Sequence, residues 1–516
     1  MPGDTAGSML ERLNQDVCRH ILFELSVVDL LSLSMTCHWL REPCMPLLFG
    51  RSYLTVYAPD KVVLPGLFLP TSLRPYVQYV CLCLRPRQVL TLTVDLDSSM
   101  IIRDECLDQR NKANMRRPPH FTDDLRLCGA YPGAALAERL QELPHLRSLT
   151  IHKVNDSMHG LCWDTLSAVL SIPHLREFKV KNLYFCPILR AGEQLDIDIV
   201  APITSFQFRM WHPREPFTFP SETVVLSAIL SKLCETLETL VLTSEPAPLS
   251  TLSQLRWPRL RRITFYGTPW TTLPAPFVSH FSGMSGLRCI SLKLNPPPHT
   301  VPQALWPPGY ACSFPWPELE RLVISYPDPQ DGIYEHLPLS LRALSLRCWY
   351  HLYVQQQYSR FGASHPPTYD ALLSSSAMLS ILHQCNRLNL NHLEIEYRAD
   401  NEDDALLQYV VATFPHLVSL KIHRYRSHTE EWEGRDAPVA RIAQTLAALT
   451  QLRRLKVYLD LLETPHTTIV LHDAAAVFAQ LLSSSLNILI IRSPSDPSWY
   501  TFDVIVGCAH ERQEIM

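Results

Sequence analysis

One hydrophobic pattern dominates the chain from residue 77 onward: apolar-x-x-apolar-x-apolar. Its copies begin at Val77, Leu146, Leu175, Ile203, Leu237, Leu260, Leu287, Leu319, Leu341, Leu390, Leu417, Leu452 and Leu486. Representative copies are LRSLTI at 146–151, LERLVI at 319–324 and LRRLKV at 452–457. The last two apolar positions alternate with polar ones, as a strand with one buried face requires. Helical patterns fill several intervals, at 134–143, 163–172, 224–234, 371–385, 404–413 and 473–484. Most starts lie 22–35 residues apart, close to or somewhat above the ~20–29-residue period of leucine-rich repeats. Thirteen strand motifs, with a helical pattern in six of the intervals, predict an α/β solenoid whose units bury their apolar faces against one another. The intervals of 69 and 49 residues hold insertions, including 103–124 and FGASHPPT at 361–368.

Residues 10–50 follow a different pattern. Val17, Ile21, Leu22 and Leu25 recur on one helical face, with Asn14 or Asp16 placed to cap its start. Asp29 is expected to cap a short second helix, Leu30 to Ser34, and Thr36 a third; Pro43 and Pro46 are expected to close the segment. Three short helices in about 40 residues bury too little to stand comfortably alone. Their apolar positions nevertheless cover more than one face, so the surplus must dock on something.

The opening Leu13, the Asp16-Val17 pair, Ile21-Leu22 with Leu25, the Asp29-Leu30-Leu31 step, and Thr36-Cys37 followed by Leu40-Arg41 together resemble an F-box of the form common in fungal proteins. Pro46-Leu47-Leu48-Phe49 leads into the next strand as in that group. The repeats that follow resemble the leucine-rich-repeat arm of F-box proteins, with Pro144-His145-Leu146, Pro173-His174-Leu175 and Pro415-His416-Leu417 as a shared lead-in. The resemblance implies docking to a Skp-type adaptor, and through it to a cullin-RING ubiquitin ligase. Leu13, Val17, Ile21, Leu25, Leu30 and Leu31 would form the adaptor-binding surface. Two departures stand out. Asn14 replaces the family's usual Pro after the opening Leu, which implies weaker adaptor binding. The repeat Asn appears only as Asn295, which removes an expectation of regular curvature.

The implied organisation is a flexible tail at 1–9, the F-box at 10–50, a repeat arm at 51–493 and a C-terminal cap or tail at 494–516. Loop insertions fall at about 95–133, 295–315 and 349–370. The other reading is a repeat scaffold, capped by the helices and not coupled to ubiquitination.

Composition narrows the field. Hydrophobic residues at 47% and charged residues at 19% supply a core and argue against a disordered chain. A net charge of −4 argues against a globally basic nucleic-acid binder. With 16 glycines, phosphate-cradling loops are scarce; 42 prolines suit short elements joined by stiff connections. The start lacks a basic stretch followed by an apolar one, and the best apolar run, 21–33, contains Glu24 and Asp29. Neither a secretory leader nor a membrane span is expected. The 15 scattered cysteines contain no CxxC pair, so reduced thiols in a cytoplasmic or nuclear protein are expected.

No catalytic motif emerges. HExxH, GxSxG and GxxxxGK[ST] are all absent. Asp95 with Asp97, and Asp196 with Asp198, lack a third metal ligand at useful spacing; Gly283 to Gly286 reads as a turn. His472-Asp473 reads as a helix start, and Asn401 to Asp404 as acid at a helix N-terminus. No enzyme activity, cofactor or metal is expected.

The strand face carries a signal of its own. Residues three, five and seven of each unit point away from the buried face. In thirteen units these positions hold 11 cations and 3 acids, on a chain whose total charge is −4. The cations include Arg209, Arg262, Lys293, Arg321 and Arg347 as the candidate substrate-binding set. One-signed charge on a sheet face favours an acidic or phosphorylated protein partner. Among these positions the aromatics are Tyr79, Tyr266 and Tyr458, too sparse for a nucleic-acid stacking platform. Arg262, Lys293, Arg321 and Arg347 are expected to converge across consecutive strands.

Overall fold

All thirteen repeat-start positions are buried to 2% exposure or less, and each is followed two residues later by a strand. The computed structural model describes residues 14–57, 70–85, 138, 140–153, 161, 163–181, 185, 200–210, 220–271, 273–297, 303–349, 351, 372–426, 437–460, 467–482, 486–492, 499–505 and 507–511. The DxD pairs, the 103–124 insertion, 361–368 and Leu13 lie outside the described residues. The chain divides into two compact units that change over between Thr239 and Leu249.

In the first unit, three helices, α1 (Gln15–Phe23), α2 (Val27–Ser34) and α3 (His38–Phe49), lead into strands β1 (Arg51–Tyr57), β2 (Tyr79–Arg85), β3 (Ser148–Lys153), β4 (Glu177–Lys181) and β5 (Ser205–Arg209). The strands pair in chain order and in parallel, so Tyr79, Ser148, Glu177 and Ser205 share one row. Parallel neighbours need a crossover, supplied here by α4 (Trp163–Leu170) and α5 (Pro220–Leu233) among others. Glu222 on α5 is fully buried and accepts from the Phe185 N–H at 3.0 Å, so an acid at a helix start holds down a connecting segment. Helix α3 packs against β1 and the 3-10 turn Arg74–Tyr76. The two amides Gln78 and Tyr79 both donate to the Gly50 carbonyl, which ties helices to sheet.

The helix boundaries differ from the sequence expectation at three points. Asn14 caps α1 by accepting from Asp16 N–H. The cap of α2 is Ser26, with Asp29 three residues in: Ser26 Oγ accepts from Asp29 N–H at 3.2 Å and donates to Asp29 Oδ2 at 2.6 Å. This reciprocal pairing starts the helix three residues earlier than a cap at Asp29 would. Thr36 does not cap α3, because its hydroxyl donates to Leu33 O at 2.7 Å and is spent on the end of α2. Pro43 and Pro46 lie inside α3 rather than closing it. Each forgoes one intrahelical bond, at a cost of roughly 3 kcal/mol in an isolated helix interior.

β6 (Thr239–Thr243) lies at the changeover. The second unit then runs through β7 (Arg262–Gly267), β8 (Cys289–Leu294), β9 (Arg321–Ser325), β10 (Ala343–Arg347), β11 (His392–Arg398), β12 (Ser419–Tyr425), β13 (Arg454–Leu459) and β14 (Ile488–Arg492), each parallel to the next. Short helices α6 (Leu249–Gln254) and α7 (Phe277–His280) serve the early repeats. Longer ones, α8 (Ser375–Gln384), α9 (Asp403–Thr413), α10 (Ala437–Leu446) and α11 (Thr467–Leu481), pack in chain order behind the later strands. His472 and Asp473 therefore lie within α11, not at its start. An antiparallel pair, β15 (Tyr500–Ile505) and β16 (Cys508–Glu511), completes the sheet beyond β14. Pairing β14 on its far side leaves its backbone groups satisfied. His472 Nε2 meets Glu511 Oε2 at 3.1 Å, fastening α11 to β16.

Behind the strands, repeat leucines alternate with the core-facing strand residues. In β7 the side chains of Ile263 and Phe265 are buried while Arg262 is exposed, the period-2 pattern of a sheet with one covered face. Burying each Leu contributes about 1.5–3 kcal/mol. No described helix is long and apolar enough to cross a membrane.

Candidate functional site

The free face of the second unit presents three rows of side chains. The first runs Arg262, Cys289, Arg321, Ala343, His392, Ser419, Arg454, Ile488. The second runs Thr264, Ser291, Val323, Ser345, Glu394, Lys421, Lys456, Ile490. The third contains Tyr266 beside Lys293, Ser325 beside Arg347, and Glu396, His423, Tyr458 and Arg492 in sequence. The expected convergence of Arg262, Lys293, Arg321 and Arg347 is therefore corrected. Arg262 and Arg321 share the first row, whereas Lys293 and Arg347 lie four residues further along their strands, roughly 13 Å away. Arg209 belongs to the first unit, beside Lys181.

Lys293 and Arg347 are also engaged. Lys293 Nζ donates to Tyr266 Oη at 3.2 Å and lies 5.2 Å from the Trp349 ring centre. Arg347 donates to Glu394 Oε1 at 3.1 Å and stacks on the same indole at 5.7 Å. Both are held by the residues just after β10, which fold back over the sheet.

That return builds a buried ionic centre. Glu396 is 2% exposed and accepts three bonds: Cys348 N–H at 2.7 Å, His351 Nδ1 at 2.7 Å and Tyr425 Oη at 2.8 Å. Glu394 accepts from Ser345 Oγ at 2.7 Å as well as from Arg347. Burial alone would raise both carboxyls. The His423 ring, with Nε2 3.6 Å from Glu394 Oε1, and the charges of Arg347 and Lys421 outweigh it at Glu394, and His351, His423 and Tyr425 outweigh it at Glu396, so both sit below the usual carboxylate range. His423 is pushed down to about 4, first by burial and then by His351, against the opposing pull of Glu394 and Glu396. Lys456 is lowered to about 8 by burial and by the Lys421 charge; its ammonium lies 3.7 Å from the Trp499 ring centre. Trp349 and Trp499 thus bring aromatic surface to the face from outside the strand positions.

His351, Glu394 and His423 place ligand atoms within 4.8 Å of one another, a donor set of the two-histidine, one-carboxylate kind. Two observations tell against a metal ion there. The imidazoles stack nearly parallel, 13° apart with centres 4.1 Å apart, whereas a shared ion must lie near the plane of both rings. Arg347 already reaches His351 Nε2 at 3.2 Å and Glu394 Oε1 at 3.1 Å, so a guanidinium takes the place a cation would need. The cluster is a clamp that fixes Cys348 and His351 to β11 and β12.

A second clamp lies behind the sheet. Asp403, at the start of α9, accepts from Tyr397 Oη at 3.0 Å and from Arg424 Nε at 2.8 Å, with all three residues buried. The sequence reading of Asp403 as a helix-start acid captures only part of this role.

In the first unit, the three helices form a small core of Cys18, Leu22, Leu30 and Cys44, with Leu25, Leu33, Trp39, Leu47 and Leu48 packed against it. Leu30 is 5% exposed and Leu25 partly covered, which corrects their expected place on an outward docking surface: both support the helices from within. Val17, Ile21 and Leu31 are exposed, and Phe23, Val27, Val28 and Met35 join them, with Val27, Val28 and Met35 at 70% or more. A groove beside them is lined by Leu31, Met35, His38, Arg41, Met45 and Phe49.

No protein-family model matches the chain, and no curated protein matches it. Among solved structures, a complex of TLR13 with ssRNA13 is similar at 12% identity and a TM-score of 0.30, over 87% of this chain and 51% of that one. The chain thus spans about half the length of that protein's chain. On its own residues, the chain is a mixed α/β repeat protein with a parallel strand face and three N-terminal helices whose exposed side is apolar.

Proposed function

We propose that the chain is a substrate receptor of an SCF-type ubiquitin ligase. The three N-terminal helices dock on a Skp-type adaptor, and the repeat arm captures a protein for ubiquitination. The observation that carries this reading is the exposed apolar set Val17, Ile21, Val27, Val28, Leu31 and Met35 on helices whose own core is already filled by other residues. So many large apolar side chains left in solvent on three short helices point to an interaction site. The F-box resemblance of the segment that holds them, to which Val17, Ile21 and Leu31 belong, supplies the identity of the partner.

In this reading the chain performs no chemistry. It holds substrate lysines near a transfer enzyme and raises their effective concentration. Its strand face offers arginines for bidentate contact with carboxylate or phosphate groups. Affinity purification of the full chain, followed by mass spectrometry, tests the reading. The adaptor and a cullin should be recovered with the intact chain, and lost when the exposed apolar residues are replaced by polar ones. Capture of other proteins without adaptor or cullin would favour a scaffold not coupled to ubiquitination.

A further inference from the structure

Basic residues in the first row of the strand face recur on every second strand. Arg262 on β7, Arg321 on β9, His392 on β11 and Arg454 on β13 are joined in register through Cys289, Ala343 and Ser419. The four basic residues are exposed, and the three between them are small. Among the described residues, none of Arg262, Arg321 or Arg454 makes an ion pair with an acid. This contrasts with Arg347, bound to Glu394, and Arg288, which meets Glu318 at 3.4 Å and Glu320 at 3.6 Å. Burial, and then the Arg321, Lys421 and Arg454 charges, hold His392 below the usual imidazole range, so it serves the row at neutral pH as an N–H donor.

Two strand spacings are about 9.6 Å. A polyproline II helix turns once every three residues with a rise of ~3.1 Å each, so one face repeats about every 9.3 Å. Over the six strand steps from Arg262 to Arg454 the two repeats differ by only about 1 Å. An extended ligand with two-residue spacing would present acids about 7 Å apart and lose register within two arginines.

We propose that this row binds an acidic peptide in the polyproline II conformation, with a carboxylate at every third residue seated on Arg262, Arg321, His392 and Arg454 in turn. The small side chains of Cys289, Ala343 and Ser419 leave room for the residues between the acids. Each Arg offers a two-pronged contact to a carboxylate, and His392 an N–H. The inference rests on the reading of the arm as a capture surface and names the class of segment captured.

Fluorescence anisotropy of the full chain with a labelled (Glu-Pro-Pro)4 peptide tests it. Two probes serve as controls: a peptide of the same composition with its four Glu in one block, and an oligothymidylate of equal charge. The periodic peptide should bind at least tenfold more tightly than either. Arg321→Ala with Arg454→Ala should weaken it at least tenfold, while Arg387→Ala, in the turn after α8, should not. A salt titration of the unaltered chain should weaken binding steeply, and requires no substitution. Equal binding of the block peptide, tighter binding of the oligothymidylate, or an unaffected double variant with the melting profile of the unaltered chain would overturn the proposal. Adaptor co-purification is read on the same preparations. Peptide failure with adaptor retained sinks this inference alone; adaptor failure with peptide retained sinks the ubiquitin-ligase reading alone.

Discussion

His351 Nδ1 lies 2.7 Å from Glu396 Oε2, and through this contact the segment after β10 is fastened to the neighbouring strand β11. The same carboxylate also accepts from Cys348 N–H and Tyr425 Oη. Glu396→Leu removes the acceptor and leaves three donors without their partner. It should cost about 2–5 kcal/mol, the range for breaking a buried charged network. Urea unfolding at neutral pH measures this, and an unchanged midpoint would show that the clamp contributes nothing.

The clamp also predicts acid sensitivity. His423 has a folded value of about 4 against 6.5 for the free side chain, so between these pH values the unfolded chain binds a proton that the folded chain refuses. Stability should therefore fall as pH drops from about 6.5 to about 4, by roughly 3 kcal/mol from this group. Glu394 and Glu396 have folded values below the ordinary 4.5, so their stabilisation is complete above that pH and is lost as pH falls further. His423→Phe should flatten the upper part of the profile and leave the lower part. A wild-type slope between pH 6.5 and 4 in that variant would mean another group is responsible.

Asp403 and Arg424 form a buried pair at 2.8 Å, with Tyr397 as a third member. Arg424→Met alone strands a buried carboxylate and should destabilise by about 3–5 kcal/mol. Replacing both partners by apolar residues should cost less than the two single changes added together. A double-mutant cycle by denaturant unfolding decides. Strict additivity would mean the two charges do not interact.

The described cysteines Cys18, Cys37, Cys44, Cys234, Cys289, Cys312, Cys348, Cys385 and Cys508 are free. Mild reductant should leave the melting temperature within about a degree. A loss of many degrees, equivalent to the ~2–5 kcal/mol of a native disulfide, would contradict this.

Much of the fold was legible because the repeat leucines serve one purpose at every recurrence. Leu146, Leu319 and Leu452 are each buried next to a strand, and their spacing alone located β3, β9 and β13. β1 lacks the leucine pattern and was expected only as the strand that Pro46 to Phe49 leads into, and the closing pair β15 and β16, which also lack the pattern, escaped. Periodicity also placed Arg262 and Arg321 on the free face correctly. It did not show that Lys293 and Arg347 belong to a different row, because register depends on which strand residues pair. Nor did it show the clamp, whose Cys348 and His351 lie outside the repeat motif and meet Glu396, or Trp349, which lies against Lys293 and Arg347. In the N-terminal helices, sequence identified the apolar residues but not which of them face inward. Leu30 and Ile21 read alike until the packing of α1 against α3 and of α2 against α3 separates them.

That separation supplies the most direct test of the proposed receptor function. Binding of a purified Skp-type adaptor is measured by isothermal titration for the full chain, for Ile21→Asp with Val28→Asp, and for Leu30→Ala. The exposed pair should leave the melting profile intact and weaken adaptor binding at least tenfold, because each lost apolar contact is worth ~1.5–3 kcal/mol and tenfold is 1.4. Leu30→Ala should lower the stability of the helices through its cavity. Adaptor affinity unchanged by Ile21→Asp with Val28→Asp in a folded chain, or absent from the unaltered chain, would contradict the account.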